Sequence, residues 1–187
     1  MNLLTPDYKK LQERLHTERP DYGTSSAKHI DPILKLAANL STRNILDYGC
    51  GKAQLQKGIP FPIQNYDPCI PEYASRPLPA ELVVCTDVLE HIEPSCLKDV
   101  LDDIRSLTLQ LLFVEVATRP AKKFLADGRN AHLLQETPNW WLTWLLPRFD
   151  LHSFQATNGA FTALMTPRVA SLTPTTAPSP EAEATKC

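Results

Sequence analysis

The sequence predicts an α/β fold built on a mostly parallel sheet, and three observations carry that prediction. Short apolar runs alternate along the chain with segments of helical period. One run, Ile45-Leu46-Asp47-Tyr48, stops at a Gly49-Cys50-Gly51 turn that leads into a helical segment, as a buried parallel strand does on entering its crossover. Near the far end, two longer runs flank Asn158-Gly159, a dipeptide suited to a tight antiparallel hairpin.

Residues 1–26 are polar and are read as a lead-in or lid, with Tyr8, Leu11 and Leu15 spaced along one helical face. The stretch Asp21 to Ser26 reads as a loop followed by a helix N-cap. A helix is expected from Ala27 to Leu40, with Ile30, Ile33, Leu34 and Ala37 on one side and Pro32 near its first turn, where proline is tolerated. Asn44 to Tyr48 should be a strand, Ala53 to Lys57 a short helix, and Ile63 to Asp67 a second strand. Glu81 to Thr86 is expected as a further strand, followed by a helix from Ser95 to about Thr108 whose start Pro94 and Ser95 mark. Leu109 to Ala117 carries the strongest strand signal, and Pro138 to Leu146 reads as a helix bearing Trp140, Trp141 and Trp144. Phe149–Ala156 and Ala160–Thr166 complete the hairpin, which adds an antiparallel edge. Residues 27–167 thus form the expected domain. From Arg168 onward the chain has no aromatic residue and is rich in proline and threonine, so 168–187 is expected to be a disordered tail.

The 187 residues suit a single domain with a core of its own. Lysine and arginine total 19 against 21 acids, a net charge of -2 that offers no broad attraction to nucleic acid or anionic membrane. Cys50, Cys69, Cys85, Cys96 and Cys187 are odd in number and contain no CxxC pair, which points to reduced thiols in a cytoplasmic protein and away from zinc. Residues 1–19 hold no apolar leader segment, and no run approaches the ~18 apolar residues of a membrane span.

The chemistry concentrates around Ile45 to Ala53. A strand ending in an acid, then Gly-x-Gly, lets a backbone turn tightly and approach a ligand closely, as in a Rossmann-like unit. Asp67 stands 20 residues after Asp47 (67 − 47), a spacing that suits an acid accepting hydrogen bonds from ribose hydroxyls. Gln54 occupies the place where a dinucleotide fingerprint has its third glycine, which argues for a cofactor without a pyrophosphate.

A third segment, Cys85-Thr86-Asp87-Val88-Leu89-Glu90-His91-Ile92, brings the resemblance into view. Over roughly residues 25–165 the chain resembles the class I S-adenosylmethionine-dependent methyltransferases. Its Ile45–Ala53 is similar to their VLDxGCGxG motif, Asp67 to their ribose-binding acid, and Asp87–His91 to their D-x-L-E-H run. The resemblance implies a Rossmann-like, doubly wound sheet and S-adenosylmethionine as cofactor. It implies that Asp47, Gly49, Cys50 and Gly51 hold the methionine part, that Asp67 binds the ribose, and that Pro68 and Cys69 border the adenine. Thr86 and Asp87 would close the pocket, with Val88 and Leu89 near the sulfonium. The chain departs from the family at Ala53, where a third glycine is usual. It departs again between Asp67 and Leu82, where 15 residues (82 − 67) are too few for the usual helix and strand. The third-strand region is therefore expected to be shortened. Small methyltransferases of this kind are similar to ones carried by bacteria and phages.

Methyl transfer needs alignment of donor and acceptor, and a base only where the acceptor must lose a proton. Glu90, His91, His132 and Arg119 are the expected catalytic set, facing the methyl group across one pocket at the strand ends. Asp87, Glu90 and His91 would share one face of a helical turn, either as an acid/base group or simply to order the loop. Small-RNA 2′-O-methyltransferases and quinone-biosynthesis O-methyltransferases similarly place such residues around a divalent ion. Here no metal is expected, and Asp87, Glu90, His91 and His132 are the candidate ligands should one be held. Arg119, Lys122 and Lys123 either grip an anionic substrate or form a solvated loop. Asp127 to His132, followed by Trp140 and Trp141, could cover a planar or sugar substrate, or pack as core.

The function expected is methyl transfer to oxygen or nitrogen of a small-molecule or nucleotide-like acceptor, with neither membrane nor large nucleic acid as partner. A non-catalytic S-adenosylmethionine-binding module is the alternative. An NAD-dependent oxidoreductase is set aside on Gln54.

Overall fold

The computed structural model describes residues 1–169. Its elements run α1 (Pro6–Glu18), α2 (Ile30–Asn39), β1 (Ile45–Tyr48), α3 (Gln54–Gly58), β2 (Gln64–Tyr66), β3 (Ala80–Thr86), α4 (Leu97–Leu107), β4 (Thr108–Ala117), α5 (Pro138–Leu145), β5 (Phe149–Thr157) and β6 (Ala160–Pro167). The six strands form one sheet in the order β2-β1-β3-β4-β6-β5. The first four are parallel, and β6 and β5 add the antiparallel hairpin.

The sheet is doubly wound because consecutive strand residues face opposite ways. Ile45, Leu82, Val84 and Phe113 pack with Ile33 and Ala37 of α2 and Leu55 of α3. Their neighbours Leu46, Val83, Cys85 and Val114 face α4 and α5 across the larger core, which also takes in Trp141, Phe149 and Phe161. Each fully buried leucine or isoleucine there contributes about 1.5–3 kcal/mol. Helix α4 is amphipathic, with Leu97, Val100, Leu101, Ile104 and Leu107 buried. Local chemistry sets where helices begin. Thr5 and Thr137 cap α1 and α5 by accepting the N–H of Tyr8 and Trp140, and Pro6 and Pro138 occupy the first helical positions.

The expected helix over 27–40 is broken in two. Ser25–His29 forms a 3-10 turn, and α2 starts at Ile30. Pro32 supplies the reason: its ring would clash with the Lys28 carbonyl if an α-helix ran through both residues. Between Tyr66 and Ala80 the expected shortening is complete. A single 3-10 turn at Pro71–Tyr73 is the only regular element, and β2 becomes the sheet edge. Pro68, Pro71, Pro77 and Pro79 stand in this connection, and proline donates nothing to a ladder. Arg76 from the same connection reaches the fully buried Asp103 of α4 at 2.5 Å, and the Tyr48 hydroxyl donates to the other carboxylate oxygen at 2.9 Å.

The expected tail begins inside the described residues only at Arg168 and Val169. The Arg168 N–H donates to Arg148 and its carbonyl accepts from Arg105. Residues 170–187 lie outside the described residues. No helix among the described residues is long and apolar enough to cross a membrane.

Candidate functional site

The carboxyl ends of β1 to β4 meet along one edge, and the Gly-x-Gly turn organises it. Gly49 and Cys50 both donate their N–H groups to the Tyr66 carbonyl at the end of β2, at 2.7 and 3.0 Å. The chain then doubles back so that the Gly51 N–H reaches one carboxylate oxygen of Asp67 at 3.1 Å. The other Asp67 oxygen accepts the Cys69 N–H at 2.9 Å. Gly51 has φ +52°, and a Cβ there would lie 2.6 Å from the Gly23 carbonyl oxygen. Only glycine therefore lets the lead-in loop rest on the turn, where Lys52 N–H donates to Gly23 at 2.9 Å. A Cβ on Gly49 (φ +74°) would run into Val88 at 2.4 Å.

Asp87 leaves β3 in the left-handed region, φ +59°, and donates its N–H to the Glu115 carbonyl at 3.2 Å. Such a conformation is held only when its surroundings over-determine it, and it turns the following residues back toward the cleft. Glu90, 0% exposed, faces the other way. One of its carboxyl oxygens accepts the Ala117 N–H at 2.7 Å and its carbonyl accepts the Leu134 N–H at 3.0 Å, so it ties this loop to the end of β4 and to the segment before α5. Burial, and then the neighbouring Asp87, push the Glu90 carboxyl well above its usual range, and its second carboxyl oxygen is buried without a partner. Burial also acts to raise Asp87, but His91, then Ser25 and His132, outweigh it and hold that carboxyl below its ordinary value.

His91 and His132 meet edge to face, with ring centroids 4.8 Å apart. Nδ1 of His91 lies 2.8 Å from the Ala131 carbonyl oxygen, and Nδ1 of His132 lies 2.6 Å from that of Arg119. A carbonyl oxygen only accepts, so each Nδ1 carries a hydrogen, and in the neutral ring Nε2 is then the accepting nitrogen. One ligating atom each from Asp87, His91 and His132 lies within 4.8 Å of the others. Burial pushes His91 down to about 4, with Asp87 opposing. Its neutral form therefore persists at physiological pH.

Helix α1 and the lead-in lie over this edge. The Tyr8 hydroxyl donates to the His91 carbonyl, and Gln12 donates to the Tyr8 oxygen at 2.6 Å while accepting from the Tyr22 hydroxyl at 2.9 Å. Tyr22 stands edge-on to His91 at 5.7 Å and against His16 at 4.7 Å. Lys28 and His29 each reach one oxygen of Glu115 at 2.7 Å, which fastens the start of α2 to β4. Beneath this cover lies a cavity with about 100 Å³ of free space.

The sequence expectations sort cleanly against that cavity. Gly49, Gly51, Asp67, Pro68, Asp87, Val88 and His91 line it. Asp47, Cys50, Thr86 and Leu89 are buried behind the lining. Asp47 is 1% exposed with one carboxyl oxygen lacking any partner, and burial, then Asp67, push it up to about 7. His132 stands behind His91, and Glu90 behind both loops. Arg119 does not join them. It gives its carbonyl to His132, while its side chain lies over the Gly159 turn, 2.7 Å from where a Cβ of that glycine would sit. The structure thus unites two of the four expected catalytic side chains directly, places Glu90 as a brace, and turns Arg119 to the hairpin. It also adds Tyr8, Gln12 and His16 to the cavity wall. Their spacing of four along the chain was the available signal, since it puts all three on one helical face.

No family model matches the sequence, and no curated protein does. Solved structures match the fold. A 1,6-didemethyltoxoflavin-N1-methyltransferase from Burkholderia thailandensis, with 1,6-didemethyltoxoflavin and S-adenosylhomocysteine bound, is 14% identical, with 89% of this chain and 92% of that one covered and a TM-score of 0.61. A magnesium protoporphyrin IX methyltransferase from Synechocystis, with S-adenosylmethionine bound, is 13% identical over 90% of this chain and 100% of that one, with a TM-score of 0.59. An rRNA methylase from Escherichia coli is 14% identical over 88% and 78%, with a TM-score of 0.53. The architecture is the Rossmann-like fold that these methyltransferases share.

Proposed function

We propose that this chain transfers a methyl group from S-adenosylmethionine to oxygen or nitrogen of a small-molecule or nucleotide-like acceptor. The observation that carries the reading is the Gly49–Gly51 turn clamped to Asp67 at the floor of a covered cavity, in a fold whose solved neighbours hold this cofactor or its demethylated product. The residues fit the group. Gly51 and Gly23 leave no side chain in the way, and both Asp67 oxygens are aimed by backbone N–H bonds while keeping lone pairs for ribose hydroxyls. Asp47, Gly49, Cys50 and Gly51 would hold the methionine part, Asp47 by offering a carboxylate to its ammonium. Pro68 and Cys69 would border the adenine, and Asp87, Val88 and the backbone around Thr86 and Leu89 would close the pocket. When bound, the cofactor supplies a methyl group on a cationic sulfur. The protein's share is to align the acceptor, exclude water with α1, and take a proton if the acceptor is a hydroxyl. His91 is the base that faces the cavity. Its Nδ1–H is committed to Ala131, Nε2 receives the proton, and Asp87 stabilises the imidazolium that results.

Ligand that binds only the folded state stabilises it, by about 2.7 kcal/mol at a hundredfold excess over Kd. S-adenosylhomocysteine is therefore expected to raise the melting temperature by roughly 5–10 °C, and NAD is expected to leave it unchanged. No shift with millimolar S-adenosylhomocysteine removes this reading. A shift without transfer of labelled methyl to any metabolite favours the binding module.

Asp87, His91 and His132 also make a suitable donor set for a divalent ion, because both imidazoles, when neutral, present an accepting Nε2 with Nδ1–H anchored on a carbonyl. An ion there would polarise the acceptor oxygen. With His91 as base, the purified protein is expected to hold no stoichiometric metal and to melt identically with and without chelator. Stoichiometric zinc or manganese that disappears in His132→Ala would reassign the three residues as ligands.

A further inference from the structure

The sheet ends at β2, and part of the wall of the cavity at its edge comes from the other end of the chain. We propose that Leu3 and Leu4 form the wall against which the cofactor's base packs, in place of the strand this sheet lacks, and that the Thr5–Glu93 contact is the latch on which that wall opens. The proposal rests on the S-adenosylmethionine reading and deepens it.

The proposed ribose acid Asp67 opens the connection that runs to Pro79, which supplies no strand and only one short turn beside the proposed base site. Tyr48, Ile92 and Val100 from the body and Leu3 and Leu4 from the lead-in line the same cavity as Pro68 and Cys69. A flat aromatic base needs apolar surface on both faces. Leu3 packs against the main core, as Ile92 does, and Leu4 packs with the cluster of Tyr8 of α1 and Leu125. Both leucines are half-buried.

The wall is held by few bonds, and each ends on the body near the start of α4. The Thr5 N–H and hydroxyl donate to the two carboxylate oxygens of Glu93, at 2.8 and 2.9 Å. The Asn2 N–H donates to Asp99 at 2.5 Å. These acceptors are only partly covered, so water can replace the bonds at small net cost. Thr5 is also the N-cap of α1, which couples release of the latch to loosening of the first turn of the lid.

Volume favours opening. The free space of about 100 Å³ falls well short of the roughly 300 Å³ or more that drug-sized ligands occupy. Displacing a lining segment would enlarge this space, and residues 2–5 reach the body through bonds to Glu93 and Asp99.

The test uses the full chain and two probes. Leu3→Ser/Leu4→Ser is expected to bind S-adenosylhomocysteine and methylthioadenosine, which keeps the base but lacks the amino acid, each about tenfold more weakly than the parent. Glu93→Ala is expected to speed dissociation of S-adenosylhomocysteine about tenfold in stopped-flow measurements of the folded variant. A folded double variant with parental affinities overturns the wall, and a parental dissociation rate in Glu93→Ala overturns the latch. If the double variant fails to fold, Leu3→Ala, tested with methylthioadenosine, replaces it under the same criterion. If the parent itself binds no S-adenosylhomocysteine, the donor reading fails and this proposal fails with it.

Discussion

Asp67→Ala is expected to weaken S-adenosylhomocysteine binding by roughly ten- to a hundredfold, the scale of about 1.5–3 kcal/mol for hydrogen bonds to a charged group. The effect has two sources that act in the same direction. The carboxylate is the acceptor proposed for the ribose hydroxyls. It also receives the Gly51 and Cys69 N–H groups, so its removal frees the glycine turn from the loop after β2. Asp67→Asn separates the two, because its single carbonyl oxygen keeps one of these bonds and its amide cannot accept. Calorimetric titration of both variants, with their melting temperatures as a check on folding, measures the loss. Affinity within threefold of the parent in a folded Asp67→Ala would show that the ribose is held elsewhere.

Asp47→Asn is expected to change stability more than any other single substitution proposed for this protein, and in the favourable direction. One Asp47 oxygen is buried without a partner, and the carboxyl is pushed from 3.8 to about 7 by burial and then by Asp67. The unfolded chain therefore releases this proton near its ordinary value while the folded protein retains it up to about 7. The folded state binds more protons across that interval, so stability falls as pH rises through it and levels off above. At 1.36 kcal/mol per unit the full penalty is on the order of 4 kcal/mol for the ligand-free protein. His91 works the other way. Its lowered value makes the unfolded state the better proton binder between about 4 and 6.5, where stability rises with pH. The two slopes offset each other in the parent, and the difference between parent and Asp47→Asn isolates the aspartate. That difference should be near zero at pH 4 and reach several kcal/mol in favour of the variant at pH 8, read by chemical denaturation. The same variant should bind S-adenosylhomocysteine more weakly at pH 8, since it offers no carboxylate to the ammonium. A pH-independent difference would mean that Asp47 is not the strained group.

Much of this architecture is written in local pattern. The run Ile45–Tyr48 before a Gly-x-Gly turn, the helical period of Leu97 to Leu107 and the Asn158-Gly159 hairpin each depend on neighbours a few residues away, so their signals survive in one dimension. The lining formed by Gly49, Gly51, Asp67, Asp87, Val88 and His91 was likewise accessible, because each follows directly on a strand whose carboxyl end defines the edge. The break at Pro32 is a matter of one ring against one carbonyl, and the 3-10 turn left before it carries Lys28 and His29, which reach Glu115.

What the sequence determined by itself is the sheet, its winding and the order of groups along the binding edge, since strand alternation and turn chemistry are local. The tertiary structure alone decided which way the side chains at that edge face. Glu90 and His91 are adjacent in the chain, yet one braces β4 and the other lines the cavity, because the left-handed Asp87 and the 3-10 turn after it rotate them apart. Arg119 stands at the expected strand end and still leaves the site, drawn over a glycine turn forty residues further along (159 − 119) that no local pattern connects to it. Tyr8, Gln12 and Leu3 enter the site from the opposite end of the chain. Contacts of such separation are fixed by packing and loop closure in three dimensions, and one-dimensional periodicity carries no record of them.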